Sequence, residues 1–200
     1  MSHDTATHLA RRGRIDCRVW AMPAAYTFDC PPIAAFVRRY LTESLVSIDP
    51  FSGARRWATY NNDLDPDSPA ESHQDARDFL DGLAAKGVRC DLAILDPPYS
   101  PRQITEVYRK IGRPATMMDT QNGRLYGDVK ERLARVLTHG AIVLSFGWNS
   151  AGMGLKHGAE IEDLLLVCHG AAHNDTICLA ERIAQSDLFA ASVSPPLVAP

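Results

Sequence analysis

The chain lacks long apolar runs, clustered cysteines and any large excess of charge. No stretch comes near the roughly 18 consecutive apolar residues that a membrane-spanning helix needs, and the polar N-terminus has no apolar segment typical of a signal peptide. The five cysteines are far apart and include no CxxC pair, so neither a disulfide framework nor a zinc site is indicated. We therefore expect a cytoplasmic protein that uses neither a membrane nor a metal.

The charge balance limits how the protein can bind a nucleic acid. Its formal net charge is -3, which argues against a strongly basic surface over the whole molecule. The positive charge is mostly arginine, whose planar guanidinium suits bidentate contact with phosphate. Any contact with a nucleic acid is therefore expected to be local, or to be assisted by a partner.

The chain contains 200 residues, of which 46% are hydrophobic, and this suits a single domain with its own core. We predict one domain over residues 15–191, with flexible ends at 1–14 and 192–200. Short apolar runs predict strands at 44–51, 56–63, 90–99, 140–148, 162–170 and 175–182. Amphipathic patterns predict helices at 33–41, 72–87, 101–112 and 126–140. This alternation is typical of an α/β fold with a mostly parallel sheet covered on both faces.

Three of the predicted strands end in polar, turn-forming clusters. Their sequences are DPFSG at 49–53, NND at 61–63 and DPPY at 96–99. Because ligands bind beyond the carboxyl ends of parallel strands, we expect the three clusters to meet at one rim. Glycine allows close approach of a ligand to the backbone, and an acid after the next strand suits the hydroxyls of a ribose.

The segment Asp96-Pro97-Pro98-Tyr99 carries the sharpest signal. Two successive prolines end the strand and restrict the backbone of the acid before them, so the turn is rigid. A carboxylate or carbonyl in this turn can accept hydrogen bonds from an amine, and a tyrosine ring can stack on a flat heterocycle.

This tetrapeptide resembles the catalytic motif of S-adenosylmethionine-dependent amino-methyltransferases, which modify the exocyclic amine of adenine or cytosine in DNA. Further segments resemble the same family in the same order, and they are AMPAAYTFDCPPI (21–33), DPFSG (49–53), NND (61–63), HQDA (73–76) and SFGWNS (145–150). The resemblance runs from about residue 20 to 182 and is greatest to small enzymes of phages and mobile elements. The glycine loop differs from that of many relatives in having the single Gly53 where they have two glycines.

The resemblance implies a Rossmann-like class I methyltransferase fold, with a mostly parallel seven-stranded sheet and helices on both faces, and S-adenosylmethionine as cofactor. It assigns catalysis to Asp96, Pro97, Pro98 and Tyr99. It assigns cofactor binding to Tyr26, Thr27, Phe28, Asp49, Pro50, Phe51, Ser52, Gly53, Asn62, Asp63, Asp75 and Asp96. The predicted substrate contacts are Tyr99, Phe146, Trp148, Asn149, Arg113 and Arg124.

In this family the acid and the carbonyl after the first proline accept the two amine hydrogens, and the aromatic ring stacks on the base. Carried over, Asp96 and the Pro97 carbonyl orient the amine, and Tyr99 holds a base that is flipped out of the helix or already single-stranded. The tyrosine-containing motif resembles the adenine-modifying branch more than the Ser-Pro-Pro form frequent in cytosine N4 enzymes. The predicted activity is therefore methylation of adenine N6 in DNA, in a bacterial or phage-infected cell.

Several of these residues also have purely structural interpretations, which stay open at this point. Asp49 can cap a helix, and Asp63 can lie on a solvated turn. For Asp75 a place in the first turn of a helix, where the helix dipole favours an acid, is preferred to cofactor contact. Phe146 and Trp148 suit a buried strand end as well as a base pocket. The histidines near Cys168 match no common zinc spacing and are expected to be core or surface residues.

The chain has no room for a separate DNA-reading insertion, so specificity is expected to be short, relaxed or supplied by a homodimer or another partner. The predicted irregular segment 109–130, which includes Arg113 and Arg124, is the expected site of nucleic-acid contact. A glycine-rich segment at 149–158 is a second candidate near the same rim. The alternative functions are methylation of RNA, a protein amide or a small molecule by the same fold, and a catalytically silent partner subunit.

Overall fold

The computed structural model describes residues 14–42, 46–98, 101–114, 116, 122–170 and 173–184. Within these ranges no helix is long and apolar enough to cross a membrane. The predicted flexible ends lie outside the described residues, except for Arg14.

The core of the protein is a seven-stranded sheet. Its strands are β1 (Arg14–Trp20), β2 (Ser47–Asp49), β3 (Tyr60–Asn61), β4 (Cys90–Leu95), β5 (Leu137–Gly147), β6 (Ala159–Cys168) and β7 (Thr176–Ile183). They are arranged in the order β1-β6-β7-β5-β4-β2-β3. Strand β7 runs antiparallel to its neighbours β5 and β6, and the other pairs are parallel. The prediction of a mostly parallel sheet is thus confirmed.

Helices cover both faces of this sheet. They are α1 (Pro31–Tyr40), α2 (Ala76–Ala85), α3 (Pro101–Lys110) and α4 (Asn122–Val136), with short 3-10 turns at Thr27–Asp29 and Leu155–His157. Alternate residues of β4 point to opposite faces: Ala93 and Leu95 pack with α2 and α4, whereas Leu92 and Ile94 pack with α1. Burial on both faces explains why β4 reads as a continuous apolar run.

One strand was not predicted from the sequence. Strand β1 begins at Arg14, which the sequence analysis assigned to a flexible end, and it pairs with β6 at the edge of the sheet. Its charged residues, Arg14, Asp16 and Arg18, alternate with apolar ones, so it lacks the continuous apolar run that marks the inner strands. Pairing with β6, a contact distant in sequence, recruits this segment into the sheet.

The boundary between α4 and β5 also differs from the prediction. Helix α4 begins at Asn122 and ends at Val136, so the irregular segment expected at 109–130 is much shorter. Val129, Leu133 and Val136 recur at helical spacing and are fully buried against the sheet. Residues 137–140 belong to β5, where the Thr138 hydroxyl donates to the Cys90 carbonyl at 3.3 Å.

Candidate functional site

Two cavities adjoin at the carboxyl rim of the parallel strands. The larger has a volume of about 350 Å³ and the smaller about 220 Å³. They share four wall residues, Phe51, Pro97, Pro98 and Leu125. The three strand-end clusters therefore meet at one rim, as the parallel topology predicts.

The larger cavity, called the donor cavity below, collects the residues predicted to bind the cofactor, with one exception. Those that line it are Tyr26, Thr27, Phe28, Pro50, Phe51, Ser52, Gly53, Asn62, Asp63, Asp75 and Asp96. Its wall is completed by residues that no motif indicated, among them Leu64, Gln103, Ile104 and Glu106. Apolar and aromatic surface therefore alternates with carboxylates around one concave space.

The glycine loop is tied to the acid after β3. The Gly53 backbone N–H donates to Asp63 Oδ2 at 2.8 Å, and the Asp65 N–H donates to Asp63 Oδ1 at 2.9 Å. Gly53 has a φ of +53°, which other residues rarely adopt. Asp63 lines the donor cavity and also holds the loop in place, so its structural and ligand-facing interpretations are compatible.

Asn62 supports the wall of the donor cavity through hydrogen bonds to the backbone of two neighbouring segments. Its side-chain amide donates to the carbonyls of Pro50 and Gln74, at 3.1 and 3.0 Å, and accepts from the Gln74 N–H at 3.0 Å. Both amide hydrogens are thus used within the protein. Asn62 joins the loop after β2 to the segment before α2, and its role in the structure is to fix the cavity wall.

Asp49 is the exception among the predicted cofactor residues, because it lies beneath the loop and does not line the donor cavity. It is the last residue of β2 and is only 1% exposed, with Oδ1 accepting the Phe51 N–H at 3.0 Å. Burial raises its pKa well above the usual range, and the nearby Asp96 and Asp63 add to this shift. Asp49 shapes the turn and caps no helix.

Asp75 is the N-cap of α2, one position before the helix begins, whereas the prediction placed it within the first turn. Its Oδ1 accepts the Arg77 N–H at 2.9 Å, and the Arg77 guanidinium donates to both carboxylate oxygens at 2.8 Å. Burial acts to raise the pKa of Asp75, but the hydrogen bonds from Arg77 outweigh it and lower the pKa. The carboxylate on this part of the wall is therefore paired and ionised.

Asp96 directly follows β4 and faces the donor cavity, while Pro97 and Pro98 form the wall between the two cavities. Burial raises the pKa of Asp96 to about 7, and a hydrogen bond with the Thr27 side chain partly offsets that rise. The carboxylate is therefore ready to change protonation state near neutral pH. Tyr99 lies outside the described residues.

The smaller cavity, called the acceptor cavity below, contains three residues predicted to contact the substrate: Phe146, Trp148 and Asn149. Phe146 is 4% exposed and packs edge to face on Phe28, with ring centroids 5.0 Å apart. Phe146 is therefore a buried strand end that also lines a cavity, and its contact with a base stays a prediction. Trp148 is 47% exposed at the rim.

Of the two arginines predicted to contact the substrate, the structure describes the side chain of Arg113 alone. Arg113 lies three residues after α3, is exposed and lines neither cavity, and its guanidinium carbon lies 5.0 Å from the centroid of the Tyr108 ring. The side chain of Arg124 lies outside the described residues.

The histidine next to Cys168 is a core residue, one of the two outcomes expected for it. His169 is buried, and its ring nitrogens contact the Ala21 carbonyl at 2.8 Å and the Thr176 hydroxyl at 2.9 Å. Both ring nitrogens are therefore used to join the ends of β1, β6 and β7.

Three residues of the site were not among the predicted contacts, although Ser145 begins the segment SFGWNS that resembles the family. Tyr126 and Ser145 line the acceptor cavity, and Glu181 supports it from β7. Ser145 lies between the apolar residues Leu144 and Phe146, and Glu181 directly follows an apolar run at 177–180. A polar residue within or beside such a run is the one signal that could have marked them. Tyr126 has the spacing of an ordinary core-facing helix residue.

The loop at 152–154 is held by a buried glutamate. Glu181 is 2% exposed, and its carboxylate accepts the N–H groups of Met153 at 2.6 Å and Gly154 at 2.9 Å. From the other side, Lys130 Nζ donates to the Gly152 carbonyl at 2.5 Å. Gly152 has a φ of +41°, and a β-carbon there would overlap the Glu181 carboxylate. The glutamate thereby fixes one wall of the acceptor cavity.

We expect Glu181→Gln to lower the free energy of unfolding by about 1–3 kcal/mol, because its amide nitrogen would face a backbone donor. Gly152→Ala should lower it as well, through overlap with Glu181 and an unfavourable φ. The matched control is Gly82→Ala in α2, where no atom lies within 4 Å of the new β-carbon and helix propensity favours alanine. Urea unfolding measures all three, and equal stability of the Gly152 and Gly82 variants would contradict this account.

The structure resembles solved structures, although no protein-family model matches the sequence and no curated protein is detectably similar to it. TrmN from Thermus thermophilus is 17% identical with a TM-score of 0.50, over 77% of this chain and 49% of TrmN. NSun6 from Pyrococcus horikoshii, solved with SFG, is 14% identical with a TM-score of 0.48, over 72% of this chain and 49% of NSun6. A methyltransferase homolog protein from Pyrococcus horikoshii is 12% identical with a TM-score of 0.47, over 76% of this chain and 64% of that protein.

This chain spans about half the length of TrmN and NSun6. At these identities the likeness concerns the fold. The chain has the Rossmann-like class I methyltransferase fold that its motifs predicted, which is the fold of S-adenosylmethionine-dependent methyltransferases.

Proposed function

We propose that this protein transfers a methyl group from S-adenosylmethionine to the exocyclic amino group of a DNA base, with adenine N6 as the target. One observation carries the proposal. Two cavities meet at the Pro97-Pro98 turn, and Asp96 stands beside that junction with an environment that raises its pKa to about 7. Methyl transfer between two bound molecules requires such adjoining sites, because its rate depends on the alignment of the reacting atoms.

The donor cavity fits the cofactor chemically. Its volume of about 350 Å³ lies within the usual range for small-molecule sites. Apolar surface for the adenine ring of the cofactor comes from Phe51, Ile104 and Leu64. The carboxylates of Asp63 and Asp96 suit the hydroxyls of the cofactor's ribose and its positively charged sulfur. S-adenosylmethionine supplies a methyl group bonded to a positively charged sulfur.

The residues at the junction would position the amine. An exocyclic base amine is a weak nucleophile, since its lone pair is delocalised into the ring. Acceptance of its two hydrogens by Asp96 and the Pro97 carbonyl favours a tetrahedral nitrogen with a localised lone pair. S-adenosylmethionine would supply the methyl group and leave as a neutral thioether with the electrons of the broken C–S bond, and Asp96 or water would take the surplus proton of the methylated amine. Orientation of this kind can lower the activation barrier of methyl transfer by about 7 kcal/mol.

The glycine loop provides a prediction for cofactor binding. Asp63→Ala removes the acceptor for the Gly53 and Asp65 N–H groups, so the loop should lose its fixed shape. We expect the dissociation constant for S-adenosylhomocysteine to rise about tenfold or more, given the usual value of hydrogen bonds to charged groups. Isothermal calorimetry measures it. Asp67→Asn is the control, because Asp67 is exposed and outside both cavities, and an equal loss in both variants would contradict the role of Asp63.

The substrate class is tested by incubating the protein with labelled S-adenosylmethionine and unmodified DNA, RNA or protein, followed by mass spectrometry of the digested products. N6-methyladenine in DNA supports the proposal. Label in RNA or protein alone would replace DNA by one of the alternative acceptors. Binding of S-adenosylhomocysteine without turnover on any acceptor would favour a silent partner subunit.

A further inference from the structure

The acceptor cavity contains two hydroxyl groups that the proposed mechanism does not use. Tyr126 projects from α4, and Ser145 lies on β5 in direct register with Leu95, the residue before Asp96. Neighbouring strands are about 4.8 Å apart, so Ser145 stands one strand away from the amine-binding turn. Ser145 and the turn therefore lie beside the same part of the acceptor cavity.

The Ser145 hydroxyl is buried in the wall of the acceptor cavity. The residue is 3% exposed, and within the described part of the chain its Oγ has no hydrogen-bond partner in good geometry. It nevertheless lies close enough to the Tyr126 hydroxyl to act on that group's pKa. A buried hydroxyl without a well-placed partner is costly, and a polar atom of a ligand in the acceptor cavity would satisfy it.

The Tyr126 hydroxyl is a fixed proton donor. Burial raises its pKa to about 12, and the nearby Glu181 and Asp96 charges act in the same direction, so the phenol keeps its proton at neutral pH. Lys130 holds the ring from behind, with Nζ 4.3 Å from the ring centroid. A neutral phenol beside a second hydroxyl presents hydrogen-bond donors to whatever occupies the cavity.

The two sides of the site are thus complementary. Asp96 and the Pro97 carbonyl accept hydrogens, whereas Tyr126 and Ser145 can donate them. Adenine and cytosine carry an amino group next to a ring nitrogen that accepts a hydrogen bond, and guanine, uracil and thymine carry an N–H at the corresponding ring position.

We propose that Tyr126 and Ser145 recognise the ring nitrogen beside the target amine, and so restrict the acceptor to an aminopurine or aminopyrimidine edge. This inference rests on the proposed function, because it takes the acceptor cavity to be the site of the target base. Tyr126 and Ser145 are then specificity residues, and Asp96 acts on the amine.

The test pairs Tyr126→Phe with substrates that lack one ring nitrogen. Single-stranded oligodeoxynucleotides of mixed sequence carry adenine, 1-deazaadenine or 7-deazaadenine at every adenine position. The wild-type protein should methylate the 1-deazaadenine substrate, which lacks the ring nitrogen beside the amine, about tenfold less efficiently in kcat/KM than the adenine substrate, the size expected for one lost hydrogen bond. It should methylate the 7-deazaadenine substrate as efficiently as adenine, and a loss on 7-deazaadenine alone would contradict the inference. Tyr126→Phe should lose about tenfold on adenine and show no further loss on the 1-deazaadenine substrate. Ser145→Ala should likewise lower kcat/KM on the adenine substrate and show less further loss on the 1-deazaadenine substrate than the wild-type protein shows.

The controls separate this inference from its alternatives. Tyr60→Phe removes the hydroxyl of a half-buried tyrosine outside both cavities and should retain the wild-type preference. If Tyr126→Phe and Ser145→Ala slow all three substrates by the same factor, the hydroxyls do not contact the ring nitrogen and the inference is wrong. If the wild-type protein methylates no oligonucleotide but does methylate another acceptor, the proposed base substrate itself is wrong and the inference falls with it.

Discussion

Replacing Asp96 with asparagine should reduce methyl transfer by at least about 100-fold while leaving the protein folded. The substitution preserves shape and keeps one neutral amide oxygen as an acceptor, but it removes the negative charge that would polarise the amine. Loss of one preorganised charge-stabilising group in an active site commonly costs this much. S-adenosylhomocysteine should still bind, because its sulfur is neutral and does not depend on the charge of Asp96. Single-turnover assays with saturating cofactor measure the chemical step.

The same substitution should stabilise the protein at neutral pH. Burial raises the folded-state pKa of Asp96 from 3.8 to about 7. The folded wild-type protein therefore binds one more proton than the unfolded chain between about pH 4 and pH 7, so its stability falls as the pH rises through that window and levels off above it. Asparagine carries no charge to desolvate, and we expect a gain on the order of 2 kcal/mol above pH 7, with little difference below pH 4.

Urea unfolding at pH 4 and pH 8 checks the predicted gain in stability. The pH dependence of activity gives a further test of Asp96. Wild-type activity should rise through about pH 7 as Asp96 ionises, whereas the residual activity of Asp96→Asn should lack that step. Asp67→Asn, an exposed carboxylate outside both cavities, should match the wild type in all assays. A fully active Asp96→Asn enzyme would remove Asp96 from the mechanism.

Replacing Phe28 with alanine should lower the free energy of unfolding by about 3–5 kcal/mol. Phe28 is 6% exposed, stacks on Trp57 with ring centroids 5.3 Å apart and packs edge to face on Phe146 at 5.0 Å. Its removal leaves a void between the two cavities that these rings cannot close. Both cofactor binding and activity should weaken as a consequence.

Tyr26→Ala is the informative comparison for this prediction. Tyr26 lines the same cavity two residues earlier but is 51% exposed. Its loss should change the free energy of unfolding by no more than about 0.5 kcal/mol. Any weakening of cofactor binding in Tyr26→Ala then reports a contact with the cofactor itself. A Phe28→Ala protein as stable as Tyr26→Ala would show that the aromatic cluster contributes little to the core.

Proline positions and apolar runs predicted the parts of the fold that depend on a few neighbouring residues. Asp96-Pro97-Pro98 ends β4 because two prolines cannot join the ladder, and the alternating faces of β4 are buried because its apolar run is continuous. Parallel topology then brings the strand ends to one rim. For this reason the predicted cofactor residues of the three strand-end clusters, apart from Asp49, line one cavity. Tyr26, Thr27 and Phe28, which the family resemblance assigned, line it as well.

Other features depended on contacts between residues distant in sequence. The polar segment that becomes β1 is a strand because β6 pairs with it, and the start of β5 follows from its contacts with β4. Asp49 was expected on the cavity wall, but the loop after β2 folds over it, and its carboxylate turns inward to the Phe51 N–H. In each case a tertiary contact outweighs the local pattern.

The sequence by itself determined the rigid acidic turn, the single glycine of the loop after β2 and most of the alternation of strands and helices, because backbone sterics and hydrophobic periodicity act over a few residues. Only the tertiary structure decided which side chains complete the site. Tyr126, Ser145 and Glu181 come from a helix and two strands, and their convergence depends on sheet order and packing. The role of a polar side chain in a cavity depends on the residues that surround it in space, and the spacing of residues along the chain does not specify those neighbours.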